Sequence, residues 1–309
     1  MIDAPEGKPY AFLPLAPVEV DAAPPHDRIA PERYAGWLGL RLAARTPVTV
    51  LCGDLAVDAQ GTAYAAMARL NGRPCLPGSS VKGVTRAVVE ASSPSCAWRA
   101  GRPACVGPSG DRACPACRMF GFVAGTDGAY RSRVRMDDFL LQPDGRPTVL
   151  RIPRLFGPHP EVYGAAGRDR GRKFYFHGQP EAGRVPVEVA PENSAFEGRV
   201  YFDNLSRAEA ALLFFALGLD GSFDWKLGYA KPAYLGSLRP HLVETHFLTE
   251  AYGQRVGRAE DPQALAREYA ETGCGWAGAA AATAALRAVL GRDVVGPPWA
   301  VGRGGVRAY

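Results

Sequence analysis

Residues 76–90 read Leu-Pro-Gly-Ser-Ser-Val-Lys-Gly-Val-Thr-Arg-Ala-Val-Val-Glu. A Pro-Gly turn, small residues and then a regularly spaced apolar run are typical of a turn that opens a helix, with Ser79 or Ser80 as its N-cap. The stretch lacks the Gly-Lys-Ser/Thr ending of a nucleotide-binding phosphate loop, because Gly83 follows Lys82. An open helix N-terminus with small residues and one lysine still offers a site for a single backbone phosphate.

Strand and helix patterns lie on both sides of this helix. Alternating or β-branched residues predict strands at 37–42, 48–52, 134–141, 172–177, 196–202 and 235–243. Ser206 precedes an amphipathic helix at 207–219, and residues 262–290 are Ala-rich and helical with a glycine interruption at 273–278. The elements alternate without the apolar runs of a parallel sheet, so the sequence predicts an α+β fold with an antiparallel sheet.

Composition limits the class of protein. The chain has 309 residues, of which 47% are hydrophobic and 22% charged, as in ordinary globular proteins. No stretch reaches about 18 apolar residues, which a membrane span needs, and the first residues lack the pattern of a secretory signal. We therefore expect a soluble intracellular protein. The net charge is +5, and only five of the 36 basic residues are lysines: Lys8, Lys82, Lys173, Lys226 and Lys231.

Four of the seven cysteines are clustered, namely Cys96, Cys105, Cys114 and Cys117. The last two form a Cys-x2-Cys pair, the spacing with which two thiolates hold one tetrahedral ion. The residues between the cysteines are rich in Gly and Pro and have little core of their own, so a metal would supply the ordering free energy. We predict a structural zinc site with four thiolate ligands. The alternative is a redox-active cysteine pair, which needs only two thiols.

Positive charge is concentrated in residues 131–173. This segment holds nine arginines and Lys173 against five acids, a surplus of +5 that equals the net charge of the whole chain. Aromatic residues lie within it or just beyond it. Arginine interleaved with aromatic rings is typical of single-stranded RNA binding, because guanidinium groups hold phosphates while rings stack on bases. The alternative is a solvated face of ordinary salt bridges.

Several sequence motifs, in the same order along the chain, resemble those of one family. Residues 76–86 resemble the I-P-G-S-S-L-K-G-x-x-R signature of the RAMP superfamily of CRISPR-associated proteins. The segment Arg-Gly-Arg-Lys-Phe-Tyr-Phe-His at 170–177 resembles one found in type III-D-like members. Further segments similar to family motifs are 114–121 (Cys-Pro-Ala-Cys-Arg-Met-Phe-Gly), 133–138 (Arg-Val-Arg-Met-Asp-Asp), 196–206 and 227–237.

The resemblance implies a fold and a domain organisation. It implies an RRM-like, ferredoxin-like core at residues 33–248, with the four-cysteine zinc insertion at about 91–120. Residues 1–32 are Pro-rich and read as an extended arm, and residues 249–309 form a helical extension. The implied function is that of a backbone subunit of a type III CRISPR effector complex, a cytoplasmic ribonucleoprotein of prokaryotic antiviral defence. Its partners would be guide RNA, target RNA, other RAMP subunits, a polymerase-like large subunit and small subunits.

The resemblance also assigns candidate RNA contacts. Matched to the family signature, Ser79, Ser80, Lys82 and Arg86 would contact guide phosphates, and Lys231 lies in the family's late loop. Charge adds Arg133, Arg135, Arg172 and Lys173 as further contacts. The late loop is usually glycine-rich, whereas here Gly228 and Gly236 enclose a loop that contains two tyrosines able to stack on bases.

Cleavage of target RNA is a separate question. Slicing members of the family carry an aspartate before the Pro-Gly-Ser-Ser turn, and Thr62 stands at the corresponding position here. The nearest acids are Asp58 and then Asp54, in the same loop. If the subunit cuts RNA, we expect Asp58, and secondly Asp54, to hold Mg²⁺ at the scissile phosphate. Otherwise both are loop-solvating acids.

Three other functions stay open on the sequence. One is a non-catalytic RAMP subunit that caps the complex or holds the 5′ tag of the guide. Another is a metal-independent guide-processing ribonuclease, with His177 or His159 as general acid or base. The third is a zinc-stabilised RNA-binding protein outside CRISPR biology.

Overall fold

The computed structural model describes residues 2–28, 30, 32–96, 105, 112–123, 128–155, 171–251, 254–255 and 257–298. No helix in this part of the chain is long and apolar enough to cross a membrane. The described helices are α1 (Gly78–Ser92), α2 (Pro115–Phe120), α3 (Arg207–Ala216), α4 (Pro262–Thr272) and α5 (Ala279–Leu290).

The strands of the described residues are short for the most part. The first ten are β1 (Tyr10–Leu13), β2 (Asp21–Ala22), β3 (Tyr34–Ala44), β4 (Leu51–Val57), β5 (Ala63–Met67), β6 (Arg69–Leu70), β7 (Arg73–Leu76), β8 (Arg112–Ala113), β9 (Phe122–Val123) and β10 (Ala129–Tyr130). The remainder are β11 (Val134–Met136), β12 (Phe139–Leu141), β13 (Thr148–Ile152), β14 (Arg172–Tyr175), β15 (Val185–Val189), β16 (Ala195–Leu205), β17 (Trp225–Lys226), β18 (Ser237–Phe247), β19 (Glu250–Ala251) and β20 (Gln254–Arg255).

The largest sheet contains a ferredoxin-like core. Its strand order is β17-β18-β3-β16-β12-β7-β6, and β11 also pairs with β16. Within it, β18, β3, β16 and β12 are neighbours and pair antiparallel. Helix α1 lies in the chain between β3 and β12, and α3 lies between β16 and β18. The βαββαβ order with this antiparallel sheet confirms the expected α+β, ferredoxin-like fold.

Side-chain alternation explains why the sheet has one covered face. Along β3, Leu38, Leu40 and Leu42 are buried, while Arg41 between them is exposed. The helices pack on the apolar face: α1 contacts α3 and α5, and α3 contacts α4. The helical extension at 262–290 is confirmed as α4 and α5, which a short 3₁₀ turn at Gly273–Gly275 separates.

A smaller sheet stands beside the core. Its strand order is β13-β15-β5-β4, and it shares a small second apolar core with the late loop. Its buried members are Ile152, Val187, Val189, Ala230, Ala233 and Leu235. The smaller sheet thereby fixes the late loop against the rest of the molecule.

The start of α1 differs from the sequence expectation. The N-cap residue is Pro77, so Ser79 and Ser80 lie inside the helix, and the predicted serine cap is wrong. The first helical N–H, that of Gly78, donates to Asp138 Oδ1 at 2.7 Å. A cap supplied by a residue distant in the sequence gives no local signal. A Cβ at Gly78 would lie 2.4 Å from the carbonyl oxygen of Met136, so only glycine allows this close approach.

The N-terminal segment also differs from a simple arm. Residues Tyr10–Leu13 form the buried strand β1, which pairs antiparallel with β14. Strand β14 carries Arg172 and Lys173, so the N-terminal segment supports two of the predicted RNA contacts. The predicted strand at 134–141 is divided into β11 and β12, with Asp137 and Asp138 between them.

Candidate nucleic-acid interface and metal centre

The four clustered cysteines meet at the N-terminal end of α2. The Sγ atom of Cys96 lies 3.4 Å from that of Cys105, 3.7 Å from that of Cys114 and 3.8 Å from that of Cys117. All four sulfur atoms lie within 4.8 Å of one another. A tetrahedral zinc with Zn–S bonds of about 2.3 Å requires sulfur–sulfur distances of about 3.8 Å. The cluster therefore fits one tetrahedral ion held by four thiolates, three of them buried and that of Cys105 half-buried.

A cavity of about 550 Å³ lies where α1, β14 and the late loop meet. Its α1 wall consists of residues at helical spacings of three and four, namely Ser80, Gly83, Val84 and Ala87. The other described residues of its wall are Val50, Leu51, Arg172, Lys173, Phe174, Tyr175, Lys226, Leu227, Gly228, Tyr229, Lys231 and Leu290. The family signature and the arginine-rich segment thus contribute to the same cavity.

The cavity wall is strongly basic. Arg172, Lys173, Lys226 and Lys231 line it, and no described residue of the wall carries a carboxylate. Three of the five lysines of the chain therefore face one cavity. Side chains that share one sign of charge in a concave, partly desolvated site attract ions of the opposite sign. The cavity is suited to a polyanion.

Desolvation lowers the pKa values of the three lysines of the cavity. Burial, followed by the charge of Lys231, lowers the pKa of Lys226 well below its ordinary value. Burial also lowers the pKa of Lys231. Burial and the charge of Lys8 lower the pKa of Lys173 to about 8. A bound anion would favour the charged form of each lysine and so offset this cost.

Aromatic rings and polar atoms fix the position of two of these lysines. Lys173 Nζ lies 3.7 Å from the ring centre of Tyr10 and 4.9 Å from that of Tyr175, both within the range of cation–π contact. The more deeply buried Lys226 Nζ donates to the carbonyl oxygen of Tyr234 and to Ser237 Oγ, each at 2.9 Å. The amines are therefore held in defined positions.

The late loop packs closely against neighbouring backbone at its two glycines. Gly228 has φ +96°, and a Cβ there would lie 2.2 Å from the carbonyl oxygen of Thr49. Gly236 has φ +82°, with a Cβ 1.9 Å from the carbonyl oxygen of Leu227. Both positions therefore require glycine. Tyr229 lies between them, is 36% exposed and lines the cavity, so its ring is available for stacking.

Three of the RNA contacts predicted on α1 do not face the cavity. Ser79 is exposed, and neither it nor Lys82 nor Arg86 belongs to the cavity wall. Lys82 Nζ donates to Ser132 Oγ at 2.7 Å. Arg86 donates to Glu90 Oε1 at 2.8 Å, to the carbonyl oxygen of Gly121 at 3.0 Å and to Cys117 Sγ at 3.6 Å. Arg86 thus contacts one of the four clustered cysteines.

Arg133 lies in the interior. Its side chain is fully buried, and its guanidinium donates to Glu209 Oε1 at 2.8 Å and to the carbonyl oxygens of Arg118 and Asn204. Burial alone would raise the pKa of Glu209, but the charges of Arg133 and Arg118 lower it to about 2. A buried guanidinium with these partners is a structural element, so we remove Arg133 from the proposed RNA contacts.

Arg135 is exposed on the sheet face opposite the helices. Its guanidinium lies 6.0 Å from the ring centre of Tyr201, its partner across the strand pair of β11 and β16. The cavity wall lies on the helix side of the sheet, so Arg135 does not reach it. Its contact with RNA stays a prediction.

The two candidate catalytic acids lie in the hairpin of β4 and β5. Asp58 Oδ1 accepts the N–H groups of Gln60 at 3.0 Å and Thr62 at 2.8 Å, which fixes the turn. Asp54 is exposed on β4. In the described part of the chain, the cysteine cluster is the sole group of three or more potential metal ligands lying together. The role of either acid in cleavage stays a prediction.

His177 is enclosed by the fold. Its Nδ1 lies 2.9 Å from Ser237 Oγ, and its Nε2 lies 3.1 Å from the carbonyl oxygen of Leu290. Burial, followed by the charge of Lys226, lowers the pKa of His177 to about 4. Both ring nitrogens are engaged within the protein, which favours a structural role. His159 lies outside the described residues.

Sequence reasoning did not select Lys226 as a site residue. The available signal was composition, because Lys226 is one of few lysines in a chain that otherwise uses arginine, and it precedes the late loop directly. Its neighbours Trp225 and Leu227 are apolar, so the local pattern indicated a core strand. The position of Lys226 on the cavity wall depends on how β17 packs.

The chain is an α+β protein with a ferredoxin-like core, a cluster of four thiols that fits one metal ion, and a basic cavity suited to an anionic ligand. Residues 59–233 match the family model of the RAMP superfamily. This segment is more than half of the chain and includes α1, the cysteine cluster, β14 and the first part of the late loop. The chain therefore belongs to the RAMP superfamily. No curated protein is significantly similar to it.

Proposed function

We propose that the chain is a guide-RNA-binding backbone subunit of a type III, III-D-like CRISPR effector complex. The observation that carries the proposal is the cavity between α1 and the late loop, whose described wall holds four cations and no carboxylate. Membership of the RAMP superfamily supports CRISPR RNA as the polyanion. The other RAMP subunits, the large and small subunits and the target RNA follow from the resemblance in the signature and the 170–177 segment.

In this proposal the backbone of the guide RNA passes through the cavity. Ser80 and the open surface at Gly83 allow a phosphate to approach α1 closely, while Arg172, Lys173 and Lys231 neutralise it. The Tyr229 ring stacks on a base at the mouth of the cavity. Phosphates carry no sequence information, so binding would not depend on guide sequence.

Gly83 allows a direct test. A Cβ there meets no other atom within 4 Å, and the residue lies inside a regular helix. Gly83→Ala should therefore fold and leave RNA binding nearly unchanged. Gly83→Glu adds a carboxylate to the cavity wall and should lower affinity for unstructured single-stranded RNA at least about tenfold, because like charges repel. Fluorescence anisotropy measures both variants, and undiminished binding by Gly83→Glu would contradict the proposal.

We propose that the metal in the thiolate cluster is zinc, with a structural role. A closed set of four thiolates leaves no open position for substrate. Elemental analysis should find about one zinc per chain. Cys114→Ser should lose the metal and lower solubility or stability, whereas Cys75→Ser, at a buried cysteine outside the cluster, should keep it. A full complement of zinc in Cys114→Ser would contradict this assignment.

Cleavage of target RNA remains a proposal from the resemblance alone. Asp58 is engaged in its turn, so Asp54 is the acid more open to Mg²⁺. An assembled complex carrying Asp54→Asn or Asp58→Asn is incubated with labelled complementary RNA and Mg²⁺. Both substitutions retain an acceptor oxygen and remove the charge. Loss of one specific cut with either variant supports cleavage by this subunit, and an unaltered pattern of products from both variants leaves it an RNA holder.

The alternative position, at an end of the complex or on the 5′ tag, predicts a different stoichiometry. A backbone subunit is present in several copies along the guide, whereas a capping subunit is present once. A cryo-EM map of the complex purified with its RNA distinguishes the two arrangements.

A further inference from the structure

The metal centre and the basic cavity share a chain of contacts. Arg86 Nη2 lies 3.6 Å from Cys117 Sγ, and Arg86 Nε donates to Glu90 Oε1 at 2.8 Å. The other carboxylate oxygen, Glu90 Oε2, lies 2.8 Å from Nη1 of Arg172. Arg172 belongs to the cavity wall. One metal ligand is thus connected through two side chains to a cation of the cavity.

The buried carboxylate is the central element of this chain. The Glu90 side chain is 0% exposed, while those of Arg86 and Arg172 are 18% and 29% exposed. A buried carboxylate needs opposite charge and hydrogen bonds close by, because it cannot be solvated by water. Arg86 donates a hydrogen bond to one of the Glu90 oxygens, and Arg172 forms an ion pair with the other. The more of the Glu90 charge Arg86 neutralises, the more of the Arg172 charge is available to an external anion.

Arg86 is anchored on the metal side at two points. Besides Cys117 Sγ, its Nη1 donates to the carbonyl oxygen of Gly121 at 3.0 Å, immediately after α2. A metal held by Cys114 and Cys117 would fix α2, and the two contacts would then fix Arg86. Loss of the metal would release both anchors and leave Arg172 to face the buried carboxylate without Arg86.

We propose that Arg86 and Glu90 are positioning residues that couple the metal centre to the cavity, so that occupation of the centre strengthens RNA binding. The inference rests on the proposed function of the cavity. Coupling between two sites is reciprocal, so bound RNA must also retain the metal more firmly. The family signature predicts that Arg86 contacts a phosphate directly, whereas the coupling gives Arg86 a positioning role.

The test measures how much zinc a chromophoric chelator removes at equilibrium, with and without saturating unstructured single-stranded RNA. In the wild-type protein, RNA should raise the zinc affinity measured in this way at least about fivefold, the lower end of usual coupling. This factor should fall towards one in Arg86→Gln and in Glu90→Gln. The control is Arg267→Gln on α4, an exposed arginine paired with Asp261, which should retain the wild-type factor.

RNA affinity distinguishes the coupling from a loss of stability, because the two substitutions should change the affinity in opposite directions. Arg86→Gln should lower affinity several-fold, because Glu90 then takes the charge of Arg172. Glu90→Gln should keep or raise affinity, because it removes a negative charge next to the cavity, and yet lose the coupling. Arg172→Gln, on the partly exposed strand β14, is the second variant if a buried substitution fails to fold, and it should also abolish the coupling.

The outcomes separate the two proposals. Wild-type protein that fails to bind RNA overturns the proposed function. Tight RNA binding that leaves the zinc affinity unchanged overturns the coupling and leaves the proposed function standing. An unchanged coupling factor in folded Arg86→Gln, Glu90→Gln or Arg172→Gln also overturns it.

Discussion

The basic cavity and the arginine cluster around Glu209 both concentrate positive charge but differ in what surrounds it. In the cluster, Arg118 and Arg133 both contact the Glu209 carboxylate, and all three side chains are buried. In the cavity wall, Arg172 is paired with Glu90 behind the wall, and no described residue of the wall itself carries a carboxylate. The arginine cluster is complete within the protein, whereas the cavity is suited to an anionic ligand from outside.

The difference shows why charge counted along a sequence does not locate a binding site. Arg133 and Lys173 belong to the same basic segment of the sequence. The first is neutralised by a residue of α3, and the second lies on the cavity wall beside two tyrosines. The residue types also fit their roles. Arginine stays charged and forms bidentate pairs, while lysine is a compact charge whose pKa responds to its surroundings.

Removal of one arginine tests whether the cluster around Glu209 stabilises the fold. Arg133→Met should lower the free energy of unfolding by about 3–5 kcal/mol, because it breaks a buried ion pair and leaves Arg118 as the one buried cation on Glu209. Chemical denaturation followed by circular dichroism measures the loss. At temperatures where the variant is folded, its affinity for single-stranded RNA should equal that of the wild type.

Arg135→Met is the matched control. Arg135 lies two positions further along the chain, on β11, but is exposed, so its removal should change stability by no more than about 0.5 kcal/mol. Equal losses in the two variants would show that the Glu209 cluster is not a special structural element.

The sequence predicted the parts of the site that depend on local pattern. The spacing of Cys114 and Cys117 indicates the candidate metal centre, and the core elements follow from alternation and from Ser206 at the start of α3. The roles of Arg133 and Arg86 could not be predicted in this way. Their partners Glu209 and Cys117 lie far from them in the chain, and only the packing of α2 and α3 brings them together.

Cysteine burial shows the same limit. The apolar residues just before Cys52 favour a core position, but Cys52 is exposed on β4, at the edge of the smaller sheet. A short apolar run reveals a strand but not whether both of its faces are covered. The order β13-β15-β5-β4 decides that question, and it depends on long-range pairing.

A double substitution in the cavity tests whether RNA binds there. Lys173→Gln combined with Lys231→Gln should weaken single-stranded RNA binding and reduce the log–log salt slope by about 1.4, since each neutralised phosphate contributes about 0.7. Binding titrations over a range of salt concentrations measure the slope. The charge-matched control is Arg41→Gln with Arg199→Gln, two arginines about half-exposed on the open sheet face. If the control reduces the slope equally, the RNA follows general surface charge and not the cavity.

The smallest effect concerns pH and separates lysine from arginine in the cavity. Burial, followed by the charge of Lys8, lowers the pKa of Lys173 to about 8, so part of the population is neutral near pH 8. A bound phosphate favours the charged form and raises this pKa, so RNA binding takes up a proton. Affinity should therefore fall as pH rises, by about twofold between pH 7 and 8 and about tenfold between pH 7 and 9, if the bound pKa returns to its ordinary value. Oligocytidine is the suitable RNA because its bases do not ionise in this range.

Lys173→Arg is the decisive variant for this prediction. An arginine remains charged at every pH of the experiment, so the contribution of this position to the pH dependence should disappear while binding at pH 7 is retained. Lys226 and Lys231, whose pKa values are also lowered by burial, would contribute any dependence that remains. If Lys173→Arg shows the same fall in affinity as the wild type, the proton taken up on binding belongs to another group. If affinity is independent of pH in the wild type, the lysines of the cavity do not meet the RNA backbone, and the contrast with the Glu209 cluster loses its functional meaning.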